Sequence, residues 1–100
     1  MTTTPLWVAP EFSIDGVEIR VTTRAGGVSQ SPWNSQNLGD HVGDIAEHVT
    51  ENRRRLQNAL PVNRISWLRQ VHGTHSVKAA DDQVPTADAQ WTTDAGRALA

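Results

Sequence analysis

Gln70-Val71-His72-Gly73, preceded by Trp67, sets an imidazole beside a residue with no side chain, where a metal or ligand has room to approach. Upstream lies a segment punctuated by glycine and asparagine, Thr22 to Asp44, TTRAGGVSQSPWNSQNLGDHVGD. The two segments in this order point towards a metal-dependent enzyme site. A neutral imidazole is a normal zinc ligand, and catalytic zinc takes three protein ligands and an open position for water. Read from its neighbours alone, His72 stays open between such a ligand and a strand-end histidine held by a backbone carbonyl. His75, three residues on, faces the opposite way on an extended segment and reads as an exposed bystander.

Three further residues could do chemistry. Arg24 precedes Ala25-Gly26-Gly27, and arginine beside a glycine pair can grip an oxyanion while the backbone comes close. The other reading pairs it with Asp15 or Glu18 at the surface. Asn37 could bond a base or ribose, and His41 could line a cleft, although Asn37 also suits a turn and Gly39 and Gly43 suit positive φ. Asp44 reads as a helix cap. Gln70 points to the other face from His72 and reads as structural or supporting. Tryptophans in so small a chain are usually core; among Trp7, Trp33, Trp67 and Trp91, only Trp33 sits in the long loop where it could edge a ligand.

These residues need elements to position them. Residues 1–13 read as an irregular lead-in. Gly16 to Thr23, GVEIRVTT, alternates apolar Val17, Ile19 and Val21 with polar residues, the period of a strand with one buried face. Gly26 to Gly43 has no sustained period and many turn formers, so it is a long loop, with Val28, Trp33, Leu38 and Val42 as apolar anchors. Asp44 and Glu47 form a D-x-x-E capping box, a device that stabilises a helix by about 1 kcal/mol. Ile45, Val49, Asn52, Leu56 and Leu60 then follow a helical stripe, and Pro61 stops it. Glu51 is placed to pair with Arg54 and Arg55. The run Arg53 to Arg55 covers about 200 degrees of helix surface and reads as a solvated face. Further strands are expected at Ile65–Val71, Ser76–Ala80, Ala87–Thr92 and from Arg97 onward, with turns at Asp81-Asp82 and Asp94-Ala95-Gly96. The fold class is α/β: several strands, one capped helix near 45–60 and a long structured loop at 25–43.

Composition sets the bounds. One hundred residues make one domain at most, small for a complete α/β enzyme. Nine basic and eleven acidic residues give a net charge of −2, which leaves no electrostatic footprint for nucleic acid. With no cysteine, the chain alone makes neither a disulfide framework nor a thiolate metal site. The first residues lack a basic region and an apolar run, and no stretch approaches the ~20 apolar residues of a membrane span. The expectation is a cytoplasmic protein with no membrane partner.

Four motifs in order, TTRAGGVSQSPWNSQNLGDHVGD, VTENRRRL, WLRQVHGT and ADAQWTTDAGRALA, carry a resemblance from roughly Val21 to Ala100. The chain resembles the laccase-domain family, first described as multicopper polyphenol oxidases and now regarded as purine nucleoside phosphorylases. The resemblance implies a zinc-dependent enzyme that cleaves adenosine, inosine, guanosine or methylthioadenosine with phosphate, with a further capacity to deaminate adenosine. Purine nucleoside and phosphate are then the partners, His72 the metal ligand, and Arg24, Asn37 and His41 the candidate catalytic residues. Zinc is favoured over copper, because a multicopper site needs histidine-rich motifs that four scattered histidines do not form. Family members carry two later motifs that supply a cysteine and a second histidine to the metal. Neither is present, so residues 1–100 are expected to be the N-terminal portion of a single laccase-type α/β domain. Alternatives are a peptidoglycan-precursor editing hydrolase, a polyphenol oxidase, or an inactive structural or interaction fragment. The sequence leaves the oligomeric state open.

Overall fold

The computed structural model describes residues 4–100. It is mixed α/β: strands β1 (Trp7–Val8) and β2 (Val21–Thr22), helix α1 (Ala46–Ala59), then strands β3 (Arg64–Ser66), β4 (Ser76–Lys78), β5 (Ala89–Trp91) and β6 (Arg97–Leu99). The chain divides into two compact units at Asn58/Ala59.

In the first unit β1 and β2 pair antiparallel, Trp7 opposite Thr22 and Val8 opposite Val21. The strand expected over Gly16–Thr23 is thus only two residues long, and its partner comes from the lead-in that showed no strand pattern. Val17 and Val21 are about half exposed (55% and 52%), so the alternation does not mark a buried face here. Trp7 packs under the Arg20 guanidinium at 5.2 Å, a cation–π contact.

Helix α1 follows the expected stripe in its middle. Val49, Asn52 and Leu56 are buried, at spacings of three and four. Ile45 is 54% exposed and stands before the first helical residue. The helix ends two residues before Pro61, which cannot continue it. Glu51 takes both expected partners, with Arg54 Nε and Nη2 at 2.8 and 2.7 Å and Arg55 Nε at 2.8 Å.

The helix start corrects the sequence reading. Val49 N–H donates to the Ile45 carbonyl, so Ile45 holds the cap position and Asp44 lies one residue outside it. Asp44 does not form the expected box with Glu47. One carboxylate oxygen accepts from the Ile45 N–H at 2.7 Å, and the other is turned towards the loop. Arg53 corrects a second reading. Its Nε donates to the Leu38 carbonyl at 2.8 Å, so it ties the helix to the loop instead of joining a solvated arginine face.

The loop from Gly26 to Gly43 is irregular, as expected, and polar side chains hold it. Asn52 is fully buried at the centre. Its Oδ1 accepts from the Val28 N–H (2.7 Å), and its Nδ2 donates to Ser29 Oγ (2.9 Å) and the Asn37 carbonyl (2.8 Å). Ser29 Oγ donates in turn to Asp44 Oδ2 at 2.5 Å. Gln36 lies at the other end, where three carbonyls, of Leu6, Thr23 and Ala25, share its amide hydrogens at 2.8–3.1 Å. Gly27 lies so close that a Cβ there would stand 2.2 Å from the Ser35 carbonyl and 2.5 Å from Asn52 Oδ1.

The second unit contains two parallel ladders. β3 pairs with β6, Ile65 opposite Ala98, and β4 with β5, Val77 opposite Gln90. The strand expected over Ile65–Val71 is cut short at Ser66, and an isolated Arg69–Thr86 bridge follows it. Gln90 Nε2 donates to the carbonyls of Ser66 (2.7 Å) and Ala100 (3.0 Å), fastening β5 to the other ladder. Arg97 donates to Ser66 Oγ at 2.7 Å and pairs with Asp81 and Asp94. Ile65 and Ala87 are the buried apolar residues of this unit. Trp91, expected in a core, is 50% exposed beside the Lys78 ammonium.

Two outcomes follow. Asn52→Ala strands one buried N–H and two acceptors, which predicts a loss of about 3 kcal/mol in urea denaturation; a loss under 1 kcal/mol would mean that Asn52 does not hold the loop. The two arginines depress the Glu51 pKa from 4.5 to about 2. A depressed acid stabilises the fold above its unfolded value and loses that contribution as pH falls through the folded one. Helicity followed by circular dichroism should therefore fall between about pH 4.5 and 2 through this group, and Glu51→Gln should flatten that part of the profile.

Candidate functional site

The candidate residues fall into both units, and each group is described within its own. In the first unit, Arg24 and Asn37 line one shallow cleft with Pro32, Trp33, Asn34 and Gln36, enclosing about 280 Å³. The structure therefore brings together two of the three candidate catalytic residues and the one tryptophan singled out as a ligand edge. His41 is not among the lining residues. Its side chain is 69% exposed, with Nδ1 3.7 Å from Asp40 Oδ1.

Arg24 is held by the loop it faces. Its Nε donates to the Asn34 carbonyl at 2.9 Å, and Nη2 lies 3.4 Å from Asn34 Oδ1. The Arg24 carbonyl accepts from the Ser35 and Gln36 N–H groups at 2.7 and 2.8 Å, which closes the loop behind the side chain. The surface pairing with Asp15 or Glu18 does not form, because Glu18 is engaged by Arg20 at 2.9 Å. Arg24 Nη1 makes no hydrogen bond among the described residues, so one edge of a fixed guanidinium is left for an anion. The adjacent glycines act differently from the sequence reading: Gly27 is packed against Ser35 and Asn52, so its role is loop closure.

Asn37 is strongly committed. Its Nδ2 donates to the Gly39 carbonyl (3.0 Å) and Asp44 Oδ2 (3.1 Å), and its Oδ1 accepts from the Gly39 N–H (3.1 Å). With both amide hydrogens engaged, only a remaining lone pair on Oδ1 can meet a ligand. Asp44 is the anchor. Its side chain is 2% exposed, and the Ser29 hydroxyl, followed by Asn37 and the Ile45 N–H, holds its carboxyl below the usual range despite burial. The Asp44 charge thus anchors Ser29 and Asn37, and through Asn37 one side of the cleft.

In the second unit, His72 has φ of +58°, a left-handed conformation. That region costs an L-residue about 1–2 kcal/mol, and histidine is one of the residues enriched there. His72 is exposed, and its imidazole makes no hydrogen bond among the described residues. It sits in a turn, with no backbone carbonyl engaging the ring. His75 is also exposed. Its carbonyl accepts from the Asp88 and Ala89 N–H groups at 2.9 and 3.2 Å.

Asp88 is the residue that sequence reasoning missed. Oδ1 accepts from the Val71 N–H at 3.1 Å, and a Cβ on Gly73 would lie 3.1 Å from Oδ2. Burial raises this carboxyl, while the N–H groups of Gly73, Val71, His75 and His72 more than offset it and leave its pKa below the ordinary value. The turn around the candidate ligand is therefore wrapped on one half-buried carboxylate. The only sequence signal was an aspartate entering a short strand, ADAQW, seventeen residues beyond the Val71 it binds.

Among the described residues, no three or more His, Cys, Asp or Glu side chains are gathered as a metal cluster, and no helix is long and apolar enough to cross a membrane. His72 contributes one available donor.

A purine nucleoside phosphorylase of Pseudomonas aeruginosa is 52% identical over 89 residues, covering 89% of this chain and 35% of that protein. The purine nucleoside phosphorylase YfiH of Escherichia coli is 41% identical over 96% of the chain and 39% of its own length. The crystal structure of a Neisseria meningitidis protein superposes with a TM-score of 0.86 at 35% identity, covering 95% of this chain and 40% of that one. YlmD from Geobacillus stearothermophilus gives 0.81 at 33%, over 99% and 42%. The chain thus spans well under half the length of these relatives. Residues 18–100 match the family model described as multi-copper polyphenol oxidoreductase laccase, and the chain belongs to that family.

Proposed function

We propose that these residues are the N-terminal portion of a zinc-dependent purine nucleoside phosphorylase, working in the cytoplasm on adenosine, inosine, guanosine or methylthioadenosine. The observation that carries this reading is the 52% identity, over most of the chain, to a protein bearing that activity in its name. The geometry supports it in two places. His72 presents an exposed imidazole that nothing in its own turn engages, which suits zinc ligation. Arg24 presents the free edge of a guanidinium fixed by Asn34, which suits a phosphate oxygen.

In the proposed reaction an oxygen of inorganic phosphate bonds to the anomeric carbon as the bond to the purine nitrogen breaks. The purine leaves with the proton that phosphate gives up. Arg24 holds the phosphate, the face of Trp33 borders the cleft, and Asn37 Oδ1 accepts a hydrogen bond from a ribose hydroxyl. His41 is kept as a further candidate substrate contact, although it does not line the cleft. His72 would be one zinc donor, with the others supplied by the longer protein. Zinc, when bound there, supplies a Lewis acid at neutral pH, the chemistry that adenosine deamination would also require.

Two measurements test this. The longer protein that carries these residues should release hypoxanthine from inosine only when phosphate is present. Arg24→Ala should then raise the KM for phosphate about tenfold, as expected for a lost charged contact; release without phosphate would sink the phosphorylase reading. Zinc titration of that longer protein against its His72→Ala variant should show weaker binding in the variant, and equal affinity would remove His72 as a donor.

A further inference from the structure

We propose that Asp88 is the positioning residue for His72: its carboxylate holds the Val71–His75 turn in the conformation that presents the imidazole. This rests on the reading of His72 as a zinc donor. It assigns a role to a residue lying sixteen positions further along the chain, in the strand segment that follows.

Three observations carry it. His72 occupies a left-handed conformation that an L-residue does not hold without support from its surroundings. Asp88 supplies that support from both sides. Its Oδ1 accepts from the Val71 N–H at 3.1 Å, just before His72, and its own N–H donates to the His75 carbonyl at 2.9 Å, just after Gly73-Thr74. Gly73 closes the turn onto the carboxylate, where a Cβ would come within 3.1 Å of Oδ2. Oδ2 is buried against the same turn. Residues that orient a metal-ligating histidine typically change metal affinity by ten- to a hundredfold when removed.

The backbone bonds from Asp88 and Ala89 to His75 survive any side-chain substitution. Asp88→Ala should therefore release the near end of the turn and leave the far end in place. The test is nuclear magnetic resonance on the 100-residue chain. It follows the intraresidue amide–Hα cross-peak of His72, which is strong at positive φ, and, in the longer protein that supplies the other zinc donors, the His72 ring resonances during titration with zinc chloride. Asp88→Ala should lose the strong cross-peak and bind zinc at His72 about tenfold more weakly. Asp88→Asn keeps one oxygen for the Val71 N–H and should lie between that variant and the parent. A parent-like cross-peak and parent-like affinity in Asp88→Ala would overturn the proposal. If that variant loses the amide dispersion of Ala89–Trp91, the same result in Asp88→Asn would overturn it. If zinc leaves the His72 ring unmoved in every protein, the donor reading fails and the cross-peak alone decides. Its loss in Asp88→Ala then sustains the positioning role, and its retention ends it.

Discussion

With one helix and strands of two or three residues among the described residues, most of this backbone lies outside regular ladders, and every buried N–H and C=O there has to find another partner. The rest of the structure depends on that constraint. Side chains meet much of it, among them Gln36 and Asn52 in the first unit and Asp88 and Gln90 in the second. Each reaches a segment that no periodic pattern connects to it. Among the described residues, buried apolar side chains are few, namely Val49, Leu56, Ile65 and Ala87, so polar satisfaction shapes the loops to an unusual degree.

The candidate site residues stand on those same supports. Arg24 lies between the Gln36 anchor and Asn34, and Asn37 is fixed through Asp44 and the carbonyl that Asn52 holds. His72 sits in the turn wrapped on Asp88. A group meant to meet a ligand has to keep an unengaged atom while the backbone behind it is satisfied. Arg24 Nη1 and the His72 ring meet that condition, whereas the Asn37 amide hydrogens do not.

The legible part of the fold was the part with local causes. Helix α1 could be read from its apolar spacing and from Pro61, and the Glu51 pairs from distances of three and four residues. Segments 64–66, 76–78, 89–91 and 97–99 were visible as strands, although each is shorter than the segment expected. The misreadings share one origin. Asp44 followed by Glu47 has the form of a cap, yet Ser29 and Asn37 reach Asp44 from the loop and draw it out of that position. Val17 and Val21 alternate as in a half-buried strand and are half exposed, because two-residue pairing with Trp7–Val8 buries neither. Arg53 looked solvated until the Leu38 carbonyl was found beside it.

The sequence by itself determined the fold class, the helix, the irregular character of residues 26–43 and the family, since these rest on local periodicity, turn chemistry and ordered motifs. It also singled out His72, whose glycine neighbour is a local feature. Only the tertiary structure decided what those motif residues touch. It placed Arg24, Trp33 and Asn37 on one cleft and left His41 outside its lining. It also put Gly27 against Asn52 and Asp88 beneath the His72 turn. The physical reason is that a hydrogen bond between a side chain and a distant backbone leaves no period in the sequence. Its partners are chosen by which unsatisfied groups the folded chain brings within 3 Å or so.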